Sequence, residues 1–241
     1  MAIVRAALKA LQRNYAPLLF YIGVGFVIYS ARLAFSALII EPRSEDLGEN
    51  FIRLYSIAVD ICSVAIVAMV QTVAFSRIGR EIDTPMWRIE NDRDAIRLFY
   101  TLWLLLGLVN IAAMRFLVII VAATDEEPVQ FALQMIWLAG AVLLVPFGAA
   151  VMFYGRVGRQ EVGEAVSTML RQFPHTFLIA IIGIFAALFL MNLQPDLPLW
   201  ARPALVIADG YVDCLLFASM WLVCIYHRDE YVHPDDEDFD F

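Results

Sequence analysis

Six apolar runs of about twenty residues or more, separated by short polar segments, constrain this chain more than any other feature. The hydrocarbon core of a bilayer is about 30 Å thick and an α-helix rises about 1.5 Å per residue, so each run is long enough to cross it. Hydrocarbon offers a backbone amide no partner, and a crossing segment must close its hydrogen bonds internally, as a helix. The expected spans are 15–40, 54–78, 98–123, 130–154, 174–192 and 199–226. A composition of 61% hydrophobic and 17% charged residues over 241 positions excludes an ordinary soluble domain. The first run is too long for the core of a signal peptide and reads as an uncleaved helix.

Alternate spans end in a shared pattern. Phe75-Ser76-Arg77-Ile78-Gly79-Arg80-Glu81 is echoed by Tyr154-Gly155-Arg156-Val157-Gly158-Arg159 and, in worn form, by Tyr226-His227-Arg228. Their partners open alike, with Arg13-Asn14-Tyr15, Arg97-Leu98-Phe99 and Arg171-Gln172-Phe173. The expected architecture is therefore all-α: three hairpins in parallel repeat, over 1–83, 84–159 and 160–228, followed by an acidic tail, 229–241. Each aromatic-and-arginine ending reads as the point where a helix meets headgroups, which makes Arg77, Arg80, Arg156 and Arg159 a lipid-facing collar.

Two segments predict helices lying in the headgroup layer. In 1–14, Val4, Leu8 and Leu11 face away from Arg5, Lys9 and Arg13. In 160–173, Val162, Val166, Met169, Leu170 and Phe173 oppose Glu161, Glu164 and Arg171. Positive charge collects on one side, at the N-terminus, between spans two and three, between four and five, and at Arg228. The other side has Arg43, Arg53 and Arg202. The bias predicts cytoplasmic termini, and Trp200 suits an anchor at the opposite interface. Asn91 or Asp92 is the expected cap of the third span, and Pro146 a candidate kink in the fourth.

Five charges remain inside the spans: Arg32, Asp60, Arg115, Asp209 and Asp213. Each costs about 2.5–3.5 kcal/mol at a helix centre unless it is paired or hydrated. Arg32, Asp60, Arg115 and Asp209 fall roughly 9–14 Å below the outer boundary at helical rise, in one layer. Pairing of Arg32 and Arg115 with Asp60 and Asp209 would lock the spans together. Asp213, four residues after Asp209 and on the same face, is the surplus carboxylate, suited to a proton or a cation in a polar cavity. Asn110 and Gln134 read as interhelical hydrogen-bonding groups.

No catalytic, cofactor or metal set is expected. Cys62, Cys214 and Cys224 lie within spans and read as small core residues, and His175, His227 and His233 have no metal or dyad spacing. The tail from Tyr231 to Phe241 mixes carboxylates with aromatics and reads as solvated or as docking on a basic partner. Expected partners are membrane lipids and a protein or larger membrane complex, with no nucleic acid. Arginine-rich usage beside a single lysine, Lys9, fits a GC-rich bacterial genome. In layout, with its [FY]-x-R-[IV]-G-R endings, the chain resembles small bacterial six-span inner-membrane proteins, including the membrane domain of some glycerophosphoryl diester phosphodiesterases. No hydrolase signature accompanies that resemblance, so it implies the membrane fold and no enzymatic activity. The leading expectation is a non-enzymatic scaffold, assembly or envelope-maintenance protein. The alternative is a small-solute, proton or cation transporter using the intramembrane carboxylates.

Overall fold

The computed structural model describes residues 2–13, 15–40, 48–82, 89, 91–124, 126–155, 158–194 and 197–232. Among them the regular structure is entirely helical: α1 (Ala2–Arg13), α2 (Tyr15–Phe35, continued by a π turn over Ser36–Ile40), α3 (Glu49–Ile82), α4 (Asp92–Ala122), α5 (Glu127–Tyr154), α6 (Arg159–Arg171), α7 (Phe173–Leu193) and α8 (Pro203–Val232). Helices α2, α3, α4, α5, α7 and α8 are each long and apolar enough to cross a membrane. Their outward faces carry Phe116, Ile136, Phe185 and Phe189, each more than 60% exposed. A water-soluble fold would bury such side chains, and on a multi-pass membrane protein they meet lipid.

Local chemistry sets the helix ends. Asn91 caps α4, its side chain accepting from the Asp94 amide at 3.0 Å, while Asp92 and Asp94 complement the dipole of the first turn. Helix α4 thus begins six residues earlier than the apolar run suggests. Pro128 and Pro174 sit in the first turns of α5 and α7, where a missing amide hydrogen is harmless. Pro146 does not end α5, which runs unbroken to Tyr154. Gly155 then ends it at φ 116°, a left-handed conformation that a side chain would strain.

Side-chain contacts fix the register. Arg32 of α2 and Arg115 of α4 both meet Asp60 of α3, whereas Tyr21 and Trp103 both meet Phe75. Helix α3 therefore runs opposite to α2 and α4. The pairs Tyr21–Asp213 and His175–Tyr226 set α8 against α2 and α7, and Phe153–Trp221 aligns α5 with α8. Helix α8 is the axis of the bundle, packing against α1, α2, α3, α5 and α7.

The three similar endings do not share a structure. In the first, α3 continues through all seven residues to Ile82, and Phe75, Ser76, Ile78 and Gly79 are buried. The second breaks at Gly155, and the third stays helical through Tyr226, His227 and Arg228. The aromatic and glycine of the first ending thus belong to the core, while Arg77 beside them stays exposed. Phe75 stacks on Phe217 at 4.5 Å and contacts Tyr21 and Trp103 at 5.2 and 5.0 Å. Phe217 contacts Trp221, which meets Phe153 edge-on. Gly79 allows α3 to approach α8 closely, since a Cβ there would stand 2.7 Å from the Trp221 ring.

The two surface helices depart from the expected faces. Helix α1 docks on α8 along Ile3, Ala7 and Leu11, so an alanine, not Val4 or Leu8, takes the centre of its packed edge. On α6 the apolar stripe divides. Val162, Ala165 and Met169 pack inward while Val166 and Leu170 remain exposed, as does Phe173 at the start of α7. Tyr154 and Thr168 share a 2.5 Å hydrogen bond that ties α6 to the end of α5.

The aromatic hub and the lipid face predict opposite outcomes for the same substitution. Phe75→Ala should cost about 3–5 kcal/mol, and Phe185→Ala within about 0.5 kcal/mol of nothing. Thermal melting in detergent distinguishes them, and equal melting points would contradict the placement of Phe75 in the core.

Candidate functional site: an acidic cleft beside α8

The intramembrane charges divide into two groups. Asp60 on α3 holds Arg32 of α2 at 2.7 Å and also binds Arg115 of α4, which reaches Ser56 Oγ at 3.0 Å. The Asp60 side chain is 13% exposed, and one carboxylate serves two guanidiniums. The expected pairing of an arginine with Asp209 is therefore corrected. Among the described residues, Asp209 and Asp213 are ion-paired with no arginine or lysine. A carboxylate with two oxygens can accept from both arginines at once, and Asp60 stands between α2 and α4 where α8 does not.

The two aspartates of α8 instead line a cleft of two adjoining lobes, about 430 and 440 Å³. Both lobes share Tyr29, Gln71, Trp103, Asn110, Asp209 and Asp213. One lobe extends past Trp137 to Gln194 and Arg202 at the α7–α8 end of the bundle, and the other reaches Arg32 between α2 and α3. Arg202 binds its own turn there, donating to the Leu197 carbonyl at 3.4 Å.

At the closed end of the cleft, Tyr21 donates its hydroxyl proton to Asp213 Oδ2 at 2.7 Å. Gln71 Nε2 donates in turn to the Tyr21 oxygen at 3.3 Å. This chain joins α3, α2 and α8 and leaves Asp213 Oδ1 without a hydrogen-bond donor among the described residues. Beneath it lies the aromatic hub, with Phe75 and Phe217 fully buried. Trp103 belongs to both, forming a wall of the two lobes while its indole nitrogen donates to Met152 Sδ at 3.2 Å. Asn110 Oδ1 and Trp137 Nε1 are buried with no hydrogen-bond partner among the described residues.

Other site residues lie apart from the cleft. Arg77 and Arg80 are both engaged by Asp92 at the start of α4, Arg80 at 3.1 Å, so the first part of the expected collar is charge-paired within the protein. Arg159 is exposed at the head of α6. Arg156 and the tail residues 233–241 lie outside the described residues. Cys214 and Cys224 are buried, but Cys62 is exposed on α3, contrary to its reading as a core residue. Gln134 is exposed as well, and Trp200, at 83% exposure, stands at the α7–α8 end.

Sequence reasoning missed Tyr21, Gln71, Trp103 and Trp137. Gln71 was the one with a readable signal, an uncharged polar group in the middle of an apolar run. Tyrosine and tryptophan carry no such mark, because most of their surface is apolar.

Asp60→Asn leaves two arginines without a counterion and should lower the melting temperature by roughly 4–8 °C, equivalent to about 2 kcal/mol. Arg115→Ala should cost less, because Arg32 stays paired. Exchanging the charges of Asp60 and Arg115 should restore little, since Arg32 would then face a like charge. Full recovery of the melting point in that double variant would contradict the shared clamp. Comparisons with protein-family models, curated proteins and solved structures give no match to this chain.

Proposed function

We propose that this is a non-enzymatic inner-membrane protein of a bacterium that binds a small cation or cationic solute in its acidic cleft and carries it through the bilayer. One observation carries this reading: Asp209 and Asp213 face the same two-lobed cleft without a cationic partner among the described residues, while Arg32 and Arg115 are both held by Asp60. A scaffold subunit needs charges that hold helices together, which Asp60 supplies. It has no need of a further carboxylate such as Asp209, which stands on the wall of the cleft with neither an ion-pair nor a hydrogen-bond partner among the described residues. The geometry therefore favours the carrier over the scaffold. Lipids contact the exposed apolar belt, and a protein partner at the acidic tail remains compatible with either role.

In this reading the chain is built from three parallel hairpins, α2 with α3, α4 with α5, and α7 with α8, and both termini are cytoplasmic. The arginine bias supports that orientation, as does exposed Trp200 at the opposite end. The cleft then faces the periplasm through the lobe lined by Gln194 and Arg202, and the aromatic hub closes it toward the cytoplasm. Layout similarity to the membrane domain of glycerophosphoryl diester phosphodiesterases fits a membrane unit working without a hydrolase.

Reconstituted into proteoliposomes, the native protein should move monovalent inorganic or organic cations above background. Asp213→Asn should reduce that flux at least about tenfold, the scale of losing one charged contact. Equal, background-level flux in both proteins would overturn the carrier reading. The orientation has its own check: a Trp200→Cys variant should react with an impermeant maleimide from the periplasmic side, and an Arg159→Cys variant only after permeabilisation. The reverse pattern would invert the topology.

A further inference from the structure

Resting on the carrier reading, we infer that the solute is a small organic ammonium ion and not a bare metal cation. Each lobe, at about 430–440 Å³, has the volume of a site for an organic molecule, far beyond the single ion a metal cage encloses. Hard cations require several oxygens converging at about 2.0–2.6 Å. Asp213 Oδ2 is already bound to Tyr21, and no group of three histidine, cysteine or acidic side chains converges among the described residues.

The walls supply what an organic cation uses. Asp209 has neither an ion-pair nor a hydrogen-bond partner among the described residues and lines both lobes, and Asp213 Oδ1 is free of donors beside it. Trp103 and Tyr29 border the same two lobes, and aromatic faces attract ammonium groups while shedding water from the attached carbons. Asn110 borders them too, its buried carbonyl oxygen without a hydrogen-bond partner among the described residues. The positive groups in reach are accounted for: Arg32 is held by Asp60, and Arg202 sits at the mouth against the Leu197 carbonyl. An anionic solute would meet two unpaired carboxylates. An organic ammonium ion meets two acceptors and an apolar, aromatic wall.

Isothermal titration of the purified full chain in nanodiscs tests this with butylamine, tetramethylammonium, 1-butanol and sodium chloride. Butylamine should bind and tetramethylammonium should compete with it, while 1-butanol and sodium give no heat of binding. Asp209→Asn should weaken butylamine at least about tenfold, and Asp209→Glu should largely retain it. Asp209 makes no hydrogen bond that the substitution would break, and the melting point of each variant checks its fold. Binding of sodium without binding of either ammonium ion would overturn the inference while leaving the carrier reading in place. Equal binding of 1-butanol and butylamine, or binding indifferent to Asp209→Asn, would also overturn it. If no cation binds at all, the inference and the carrier reading both fall.

Discussion

A charge in hydrocarbon must find its opposite within the protein, and in this bundle Asp60 meets that demand twice. The rest of the site follows from its position. Because α3 lies between α2 and α4, a single carboxylate can reach arginines on both, and three helices are fastened at one level. The aspartates of α8 are then left without an arginine partner among the described residues. Had each arginine taken its own aspartate, Asp209 would have been consumed in the clamp and the cleft would hold one carboxylate fewer. Economy in one layer creates the acidity of the next.

Below that layer the means of cohesion changes. Lipid tails are as apolar as leucine, so helices in a bilayer associate through close packing and interhelical polar contacts and not by escape from water. Phe75, Phe217, Trp221 and Phe153 supply the packing, and the hydrogen bonds from Gln71 through Tyr21 to Asp213 supply the polar contact directly above them. The cleft is therefore open where the helices are joined by charge and closed where they are joined by rings. Trp103 marks the border between the two regimes.

Span number and helix type were legible because they depend on runs of twenty residues, over which hydropathy averages out local detail. Charged residues inside the apolar helices were legible for a similar reason, since Arg32, Asp60, Arg115, Asp209 and Asp213 are conspicuous against their surroundings. Partner choice was not. Equal depth along separate helices says nothing of which helix neighbours which, so Asp209 was matched with an arginine that Asp60 holds. The glycine–arginine ending at Phe75 was legible only in part. Its arginines do sit near the helix end, but its aromatic and glycine face inward against Trp221, and one-dimensional spacing cannot separate those two faces without the neighbouring helix. In α1 the packed edge centres on Ala7, a residue too small to be picked out by hydropathy.

The double engagement of Asp60 also fixes a count. With every group ionised, the two arginines and three aspartates within the spans leave one negative charge uncompensated. A bilayer interior tolerates net charge poorly, whichever side chain bears it. In the carrier reading, a bound monovalent cation would compensate that surplus charge.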